Sequence, residues 1–370
     1  METLILNKEK RSDFRKFNSL PYSLYKGNPY WVPPFAGEME RVMNPHKNPF
    51  YAHSEADFII VESKREILGR IAILHNRNYC MFHHTETAFF CYFECIEDQQ
   101  VAARLFDAAE NWSRQRGLAL LLGSRGFLRS SGIGILVEGF NTLPAMGIPY
   151  NHPYYSTLIE SCGFTKAFDH YSGVLEKRSD PMIHQMAKKV MERGHFHILI
   201  FSNSSEIVPW IPKIDEVNHA IFPANPNYYP STSQEFELIS RNFLDMADPR
   251  LTKLILHNGD IAGIIVAFPN INKSLKKCGG HLFPLGWLAV SAEKKHPTTI
   301  DLNMIGLLPQ YQGLGGNVLL YSELDKLISN YRIKKAEVVQ IDERNFRSKS
   351  DIQNLGVTIS KTHRTYQKSI

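Results

Sequence analysis

The chain has no apolar stretch near the ~20 residues that a membrane-spanning helix needs. Its first residues, METLILNKEKRSDF, hold no sustained apolar core and do not read as a secretory signal. These two absences lead to the expectation of a soluble, cytoplasmic protein. Cysteine is scarce. There are five, Cys80, Cys91, Cys95, Cys162 and Cys278, and none stands in a Cys-x-x-Cys pair. That argues against a disulfide framework and a zinc-type ligand spacing, and fits a reducing compartment. No metal is expected. Charge of one sign is lacking too: 42 Lys and Arg stand against 37 Asp and Glu, a net +5 with 15 His neutral, and no long basic block occurs. A nucleic-acid partner is therefore not expected. Aromatic residues are plentiful. The 22 Phe and 16 Tyr leave room for an exposed patch that touches a membrane surface.

Hydrophobic content of 43% and charged content of 21% are those of a globular chain, and 370 residues exceed one typical domain. The first half opens with a short helix at 12–26, and the proline-rich GNPYWVPPF then breaks it. ADFIIVES and ILGRIAILHN flank a charged turn and read as a hairpin. TAFFCYFECI is a strand. DQQVAARLFDAAENWSRQRG is a helix, capped by Asp98 and ended by Gly117. LALLLG is a buried strand, and HPYYSTLIESCGF a short helix ending at Gly163 before a closing strand pair. The second half repeats the order. HFHILIFS is a strand, IDEVNHAIF and TSQEFELISRNFL are helices, and LTKLILHNGDIAGIIVAFP is a hairpin turning at Asn258 and Gly259. TIDLNMIGLLP is a strand, GLGGNVLLYSELDKLISNY a helix and KKAEVVQID a strand. A short helix ends at Gly356, and KTHRTYQK closes the chain. The expectation is two copies of one mixed α/β unit, residues 1–180 and 181–370. Each has a largely antiparallel sheet flanked by helices.

One segment carries chemistry. Leu307, Leu308 and PQYQGLGGN follow a strand and open a helix. Glycines there turn backbone N–H groups toward a common point, and those groups are the unpaired first donors of the helix. With the helix dipole behind them, they suit a pyrophosphate. A P-loop is excluded, because no Gly-Lys-Ser/Thr follows. A dinucleotide fingerprint is excluded because Val318 occupies its third glycine position. The matching point of the first half has no glycine. Glu97 and Asp98 stand there and would repel phosphate.

PQYQGLGG and its Leu-rich helix resemble the coenzyme A loop of the GNAT acyltransferase superfamily, R/Q-x-x-G-x-G/A. Gln312 matches the first position and Gly315 the fourth, whereas Asn317 departs from the last. YSLYKGNPYWVPPF, LGRIAILHN, YFECIED, VEGF, PYNHPYY and HRTYQK extend the likeness over nearly the whole chain, to bacterial two-domain GNAT-like proteins. Some relatives are implicated in long-chain amide formation on sphingoid bases. The resemblance implies tandem GNAT-like domains, the first degenerate. It implies N-acyl transfer from acetyl-CoA, a longer acyl-CoA or an acyl carrier protein to an amine acceptor. Leu307, Leu308, Gln312, Gly313, Leu314, Gly315, Gly316 and Asn317 would bind the donor, with an oxyanion-stabilising N–H near Leu307.

An amine must lose a proton before attack, which calls for a base. Candidates are Asp301, on the strand, and Glu343, just after KKAEVVQID. Asn345 stands where many superfamily members place an Asn beside the pantetheine arm, and it could equally cap a helix. The tyrosine acid of many members has no match, since Ile352 and Ile159 fill its place, and neither Tyr366 nor Tyr154 fits the motif. Phe222, Tyr228 and Tyr229, in HAIFPANPNYYPSTSQEF, could wall an acceptor cleft. The missing tyrosine and Asn317 leave a second reading, a non-catalytic acyl-CoA-binding or scaffold protein. Thiol release with a panel of amines separates the two.

Overall fold

The computed structural model describes residues 1–175, 181–221, 228–312, 315–345 and 356–370. The first half runs β1 (Glu2–Ile5), α1 (Arg11–Leu24), α2 (Glu38–Met43), β2 (Glu55–Ser63), β3 (Glu66–His75), α3 (Arg77–His83), β4 (Thr87–Cys95), α4 (Gln99–Arg114), β5 (Leu120–Gly123), β6 (Ile135–Glu138), α5 (Tyr155–Ser161) and β7 (Thr165–Leu175). A linking helix, α6 (Pro181–Gly194), follows. The second half runs β8 (Phe196–Ile200), α7 (Ser204–Ile207), α8 (Ile211–Ile221), α9 (Ser233–Met246), β9 (Thr252–His257), β10 (Asp260–Pro269), α10 (Asn272–Lys277), α11 (Gly286–Lys295), β11 (Thr299–Leu307), α12 (Gly316–Asn330), β12 (Lys335–Asp342) and β13 (Val357–Ser369).

The element order repeats, and so does the local chemistry. Each half has a tight hairpin whose turn needs positive φ. Lys64 and Arg65 take φ of 51° and 71°, and Asn258 and Gly259 take 52° and 93°. The fourth strand of each half pairs antiparallel with its hairpin, and through a helix it leads to a parallel fifth strand: β4 with β5, and β11 with β12. Asp98 caps α4 as expected, its carboxylate accepting from the N–H groups of Gln100 and Val101.

The two halves do not close their sheets separately. The expected closing strand pair of the first half is replaced by an exchange. β13, from the C-terminus, lies against β5, and β7, from the first half, lies against β12. β7 and β13 also pair with each other. The result is one thirteen-stranded sheet, mostly antiparallel, in the order β1-β2-β3-β4-β5-β13-β7-β12-β11-β10-β9-β8, with β6 set against β13. Exchange satisfies the ladder on both sides of each closing strand. It also leaves a continuous row of hydrogen bonds across the junction.

Apolar cores lie on both faces of each half. Val101, Leu105 and Trp112 of α4 pack with Phe90 and Tyr366, and Leu319, Leu324 and Leu327 of α12 pack with Leu302 and Leu307. α9 reaches back to the first half, where Glu235 meets His53 at 3.1 Å. Tyr229 is buried in the first half's core with Phe50, Phe58 and Phe127, so it packs there and walls no cleft. Tyr228 stacks on His219 with ring centroids 3.6 Å apart, and Phe222 lies outside the described residues. Among the described residues no helix is long and apolar enough to cross a membrane.

Candidate functional site

β11 and β12 pair for only a short distance. Thr299 stands opposite Lys335 and Leu302 opposite Val338, after which the strands part. β12 then follows β7, with Asp342 opposite His170. The parted strands form a wedge whose open end carries Leu307 on one side and residues 342–345 on the other.

The ladder fixes which way Leu307 faces. Leu308 donates its N–H to Ala262 of β10 at 2.8 Å. In an antiparallel pair successive residues bond to opposite sides, so Leu307 turns its N–H and C=O toward the wedge. Its carbonyl accepts from Nε2 of Gln312 at 3.1 Å. The connection to α12 then ends at Gly315, with φ of 87°. A Cβ there would come 2.7 Å from Val190 of α6, and one at Gly316 would meet Leu307 at 2.8 Å and the Tyr311 carbonyl at 2.9 Å. α12 has no side-chain cap at its start. Gly313 and Leu314 lie outside the described residues. Leu307, Leu308, Gln312, Gly315, Gly316 and Asn317 thus gather at one strand–helix junction.

The first half has the same junction in another state. Ile96 donates to Leu68 at 3.0 Å, so Cys95 takes the place of Leu307, as Gly69 opposite Cys95 matches Gly263 opposite Leu307. Here the wedge is filled from within. The Tyr155 hydroxyl accepts from the Cys95 N–H at 3.3 Å, and the Tyr154 hydroxyl donates to the Cys95 carbonyl at 2.8 Å. Tyr155 and Tyr25 both donate to Glu94 at 2.6 Å. Burial raises the Glu94 carboxyl, against the pull of Arg70 at 3.6 Å. The junction itself is three residues, 96–98, against eight, 308–315, in the second half. The carboxylates Glu97 and Asp98 were legible in the sequence. The tyrosine plug was not, because it depends on α5 folding back onto β4. Counting back from Gly163 and Gly356, Tyr154 and Tyr155 correspond to Arg347 and Ser348, outside the described residues.

The three candidate catalytic residues do not converge. Asp301 stands at the closed end of the wedge, opposite Glu337, and is 1% exposed. Its oxygens accept from the Met146 N–H at 2.7 Å and from Asn270 at 3.0 and 3.1 Å. Burial pushes its carboxyl up to about 7, against those hydrogen bonds. Glu343 lies six residues beyond Glu337, about 20 Å along an extended strand. It is half-buried and accepts from Lys166 at 2.7 Å. Asn345 follows in a turn, its N–H donating to the Asp342 carbonyl at 3.0 Å. Glu343 and Asn345 therefore share the open end with Leu307, and Asp301 does not. Sequence reasoning missed Asn270 and the loop at 139–153, which brings Pro144 and Met146 over the sheet of the other half. Among the described residues no group of three or more His, Cys, Asp or Glu could hold a metal ion.

This architecture is the GNAT fold in tandem. A tandem GNAT protein from the clavulanic acid biosynthesis pathway superposes with a TM-score of 0.58 at 12% identity, over 100% of this chain and 98% of that one. A GCN5-related N-acetyltransferase from Sphaerobacter thermophilus gives 0.51 at 12% identity, over 100% and 95%. No family model matches the sequence. Among curated proteins the chain is similar to the bacterial ceramide synthase of Caulobacter vibrioides (24% identical, 97% of this chain and 95% of that protein). It is also similar to protein YghO of Escherichia coli K12 (26% identical, 97% and 94%).

Proposed function

We propose that the chain is an N-acyltransferase that moves an acyl group from a thioester, acyl-CoA or acyl carrier protein, to an amine. In this reading residues 181–370 form the catalytic copy and residues 1–180 a copy without a donor site. The observation that carries it is the contrast between the junctions. Among the described residues Leu307 faces a wedge that no tyrosine hydroxyl enters, beside an uncapped, glycine-led helix, while Cys95 faces two tyrosines beside a helix capped by Asp98. Leu307, Leu308, Gln312, Gly313, Leu314, Gly315, Gly316 and Asn317 hold the donor, the N–H groups at the start of α12 facing its pyrophosphate. The amine nitrogen attacks the thioester carbon. A C–N bond forms, the C–S bond breaks, and the sulfur leaves as thiolate, which becomes the thiol by taking up the proton that the nitrogen gives up on forming the amide. A backbone N–H of β11 near Leu307 steadies the oxyanion. Glu343 takes the proton that the amine must lose, and Asn345 stands beside the pantetheine arm. Asp301 positions the loop at 144–146.

The acyl group in this proposal is long and the acceptor is a sphingoid-type or other amphiphilic amine. Similarity to a protein named ceramide synthase supports this choice. Each buried methylene contributes about 0.8 kcal/mol, so a long chain gains several kcal/mol over acetyl. The test is thiol release and amide formation from acetyl-, octanoyl- and palmitoyl-CoA, with a sphingoid base and with small polar amines. Preference for palmitoyl and the sphingoid base is expected. Preference for acetyl with a polar amine overturns the long-chain reading and keeps acyl transfer. Donor binding with no amide from any amine leaves the scaffold reading instead.

A further inference from the structure

The two copies differ in the connection that follows the hairpin. Between β3 and β4 the first half spends eleven residues, 76–86, and between β10 and β11 the second half spends twenty-nine, 270–298. The added segment builds α10, a tip at 281–285, and α11. It is firmly attached at its base. The Lys276 ammonium donates to the carbonyls of Asn28 and Trp31 at 2.6 and 2.8 Å, and the Ala36 N–H donates to the Gly280 carbonyl at 2.9 Å. Ser274 holds α11 through Glu293 and the Ala289 carbonyl.

The far side of the segment is apolar and faces solvent. Phe283 is 83% exposed, Leu285 68%, Trp287 46% and Leu288 48%, and α11 has no buried residue. Isolated exposed leucines need no explanation, but four large apolar side chains within six positions do. The charge around them has one sign. Residues 270–298 hold Lys273, Lys276, Lys277, Lys294 and Lys295 against Glu293 alone, a balance of 5 − 1 = +4. Glu293 is itself engaged by the Ser274 N–H at 2.8 Å. Lys273, Lys277 and Lys295 are exposed.

We infer that this segment docks the protein on an anionic lipid bilayer. Phe283, Leu285, Trp287 and Leu288 enter the headgroup–acyl boundary, and the exposed Lys273, Lys277 and Lys295 pair with lipid phosphates, Lys276 and Lys294 being held by backbone carbonyls. Trp beside Phe and Leu in a Lys-rich segment is the composition that partitions to such an interface. A protein partner of ordinary composition would leave the excess cations unmatched. The inference does not depend on which amine is acylated.

The test is co-sedimentation of the full chain with phosphatidylcholine vesicles and with vesicles carrying 30% phosphatidylglycerol. Expected is binding to the anionic vesicles that weakens with salt, with the Trp287 emission shifted to the blue. The double variant Phe283→Ser and Leu285→Ser, at exposed positions, should keep its melting temperature and lose at least ten-fold in vesicle affinity. Trp287→Phe should remove the emission shift. No binding to either vesicle, or binding that the double variant leaves unchanged, overturns the inference. So does a dimer in solution that the same variant dissociates, which would assign the patch to a second copy. Amide formation in detergent by a chain that ignores vesicles would overturn this inference alone.

Discussion

His170 on β7 and His363 on β13 stand directly opposite each other, 2% and 0% exposed, in the pairing that joins the two halves. Each is the seventh residue after a glycine that ends the preceding segment, Gly163 or Gly356, so they are matching positions of the repeat. The His363 Nε2 lies 3.0 Å from the Pro149 carbonyl, and the Nδ1 atoms of both rings are buried.

Burial pushes both imidazoles down to about 4, against the pull of Asp342 on His170. Their unfolded value is near 6.5, so the unfolded chain takes up these protons first. Their contribution to stability is complete above about pH 6.5 and is lost as pH falls toward 4. Asp301, raised to about 7, works in the opposite direction, its contribution being lost as pH rises through 7. The expected outcome is a melting temperature that drops on going from pH 7 to 4.5, more steeply in Asp301→Asn. His363→Leu should flatten the drop while costing about 1–3 kcal/mol at neutral pH for the unpaired Pro149 carbonyl. An equal drop in His363→Leu removes the histidines from the account.

Asp301 and Glu343 separate by the kind of damage their loss does. Asp301→Ala leaves the Met146 N–H and the Asn270 amide without their acceptor, and a loss of about 2–4 kcal/mol is expected. Glu343→Gln keeps the shape of a half-exposed side chain. Stability should change by less than about 1 kcal/mol and kcat should fall by about 10²-fold or more. Measuring both quantities on both variants decides it. A stable, inactive Asp301→Ala with an active Glu343→Gln reverses the assignment.

Gly315 answers to two demands, its left-handed backbone and the approach of Val190. Gly315→Ala should lose about 1–2 kcal/mol from backbone strain alone, more from the contact, and at least ten-fold in donor affinity. Adding Val190→Ala relieves the contact. The double variant is expected to regain part of the stability and none of the affinity. Recovery of affinity would make the glycine a packing residue and not part of the phosphate cradle.

Much of the fold was legible because its signals are local. The hairpin at Asn258 and Gly259, the Asp98 cap and the glycines after Leu307 each act within a few residues. α6 was missed, since MIHQMAKKVMERG follows the break at RSDP and its apolar face is answered by distant segments, α12 above all. The strand exchange was illegible for a different reason. β7 and β13 carry the same pattern whichever half they close, and only the assembled sheet says where each edge goes. The site divided in the same way. The strand–helix junction is written in consecutive residues, whereas Tyr154 and Tyr155 reach the Cys95 backbone from some sixty residues away. Asp301 read as a strand carboxylate, and Asn270 and Met146, which decide its environment, come from two other segments.

The central claim is that one of two matching junctions holds the donor. Calorimetric titration of the full chain with coenzyme A measures this directly. One site per chain is expected. Gly315→Asp should abolish it, and Tyr155→Phe should leave its affinity within about two-fold, since Tyr155 fills the other wedge. Two sites per chain, or a single site that survives Gly315→Asp and is lost in Tyr155→Phe, would contradict the account.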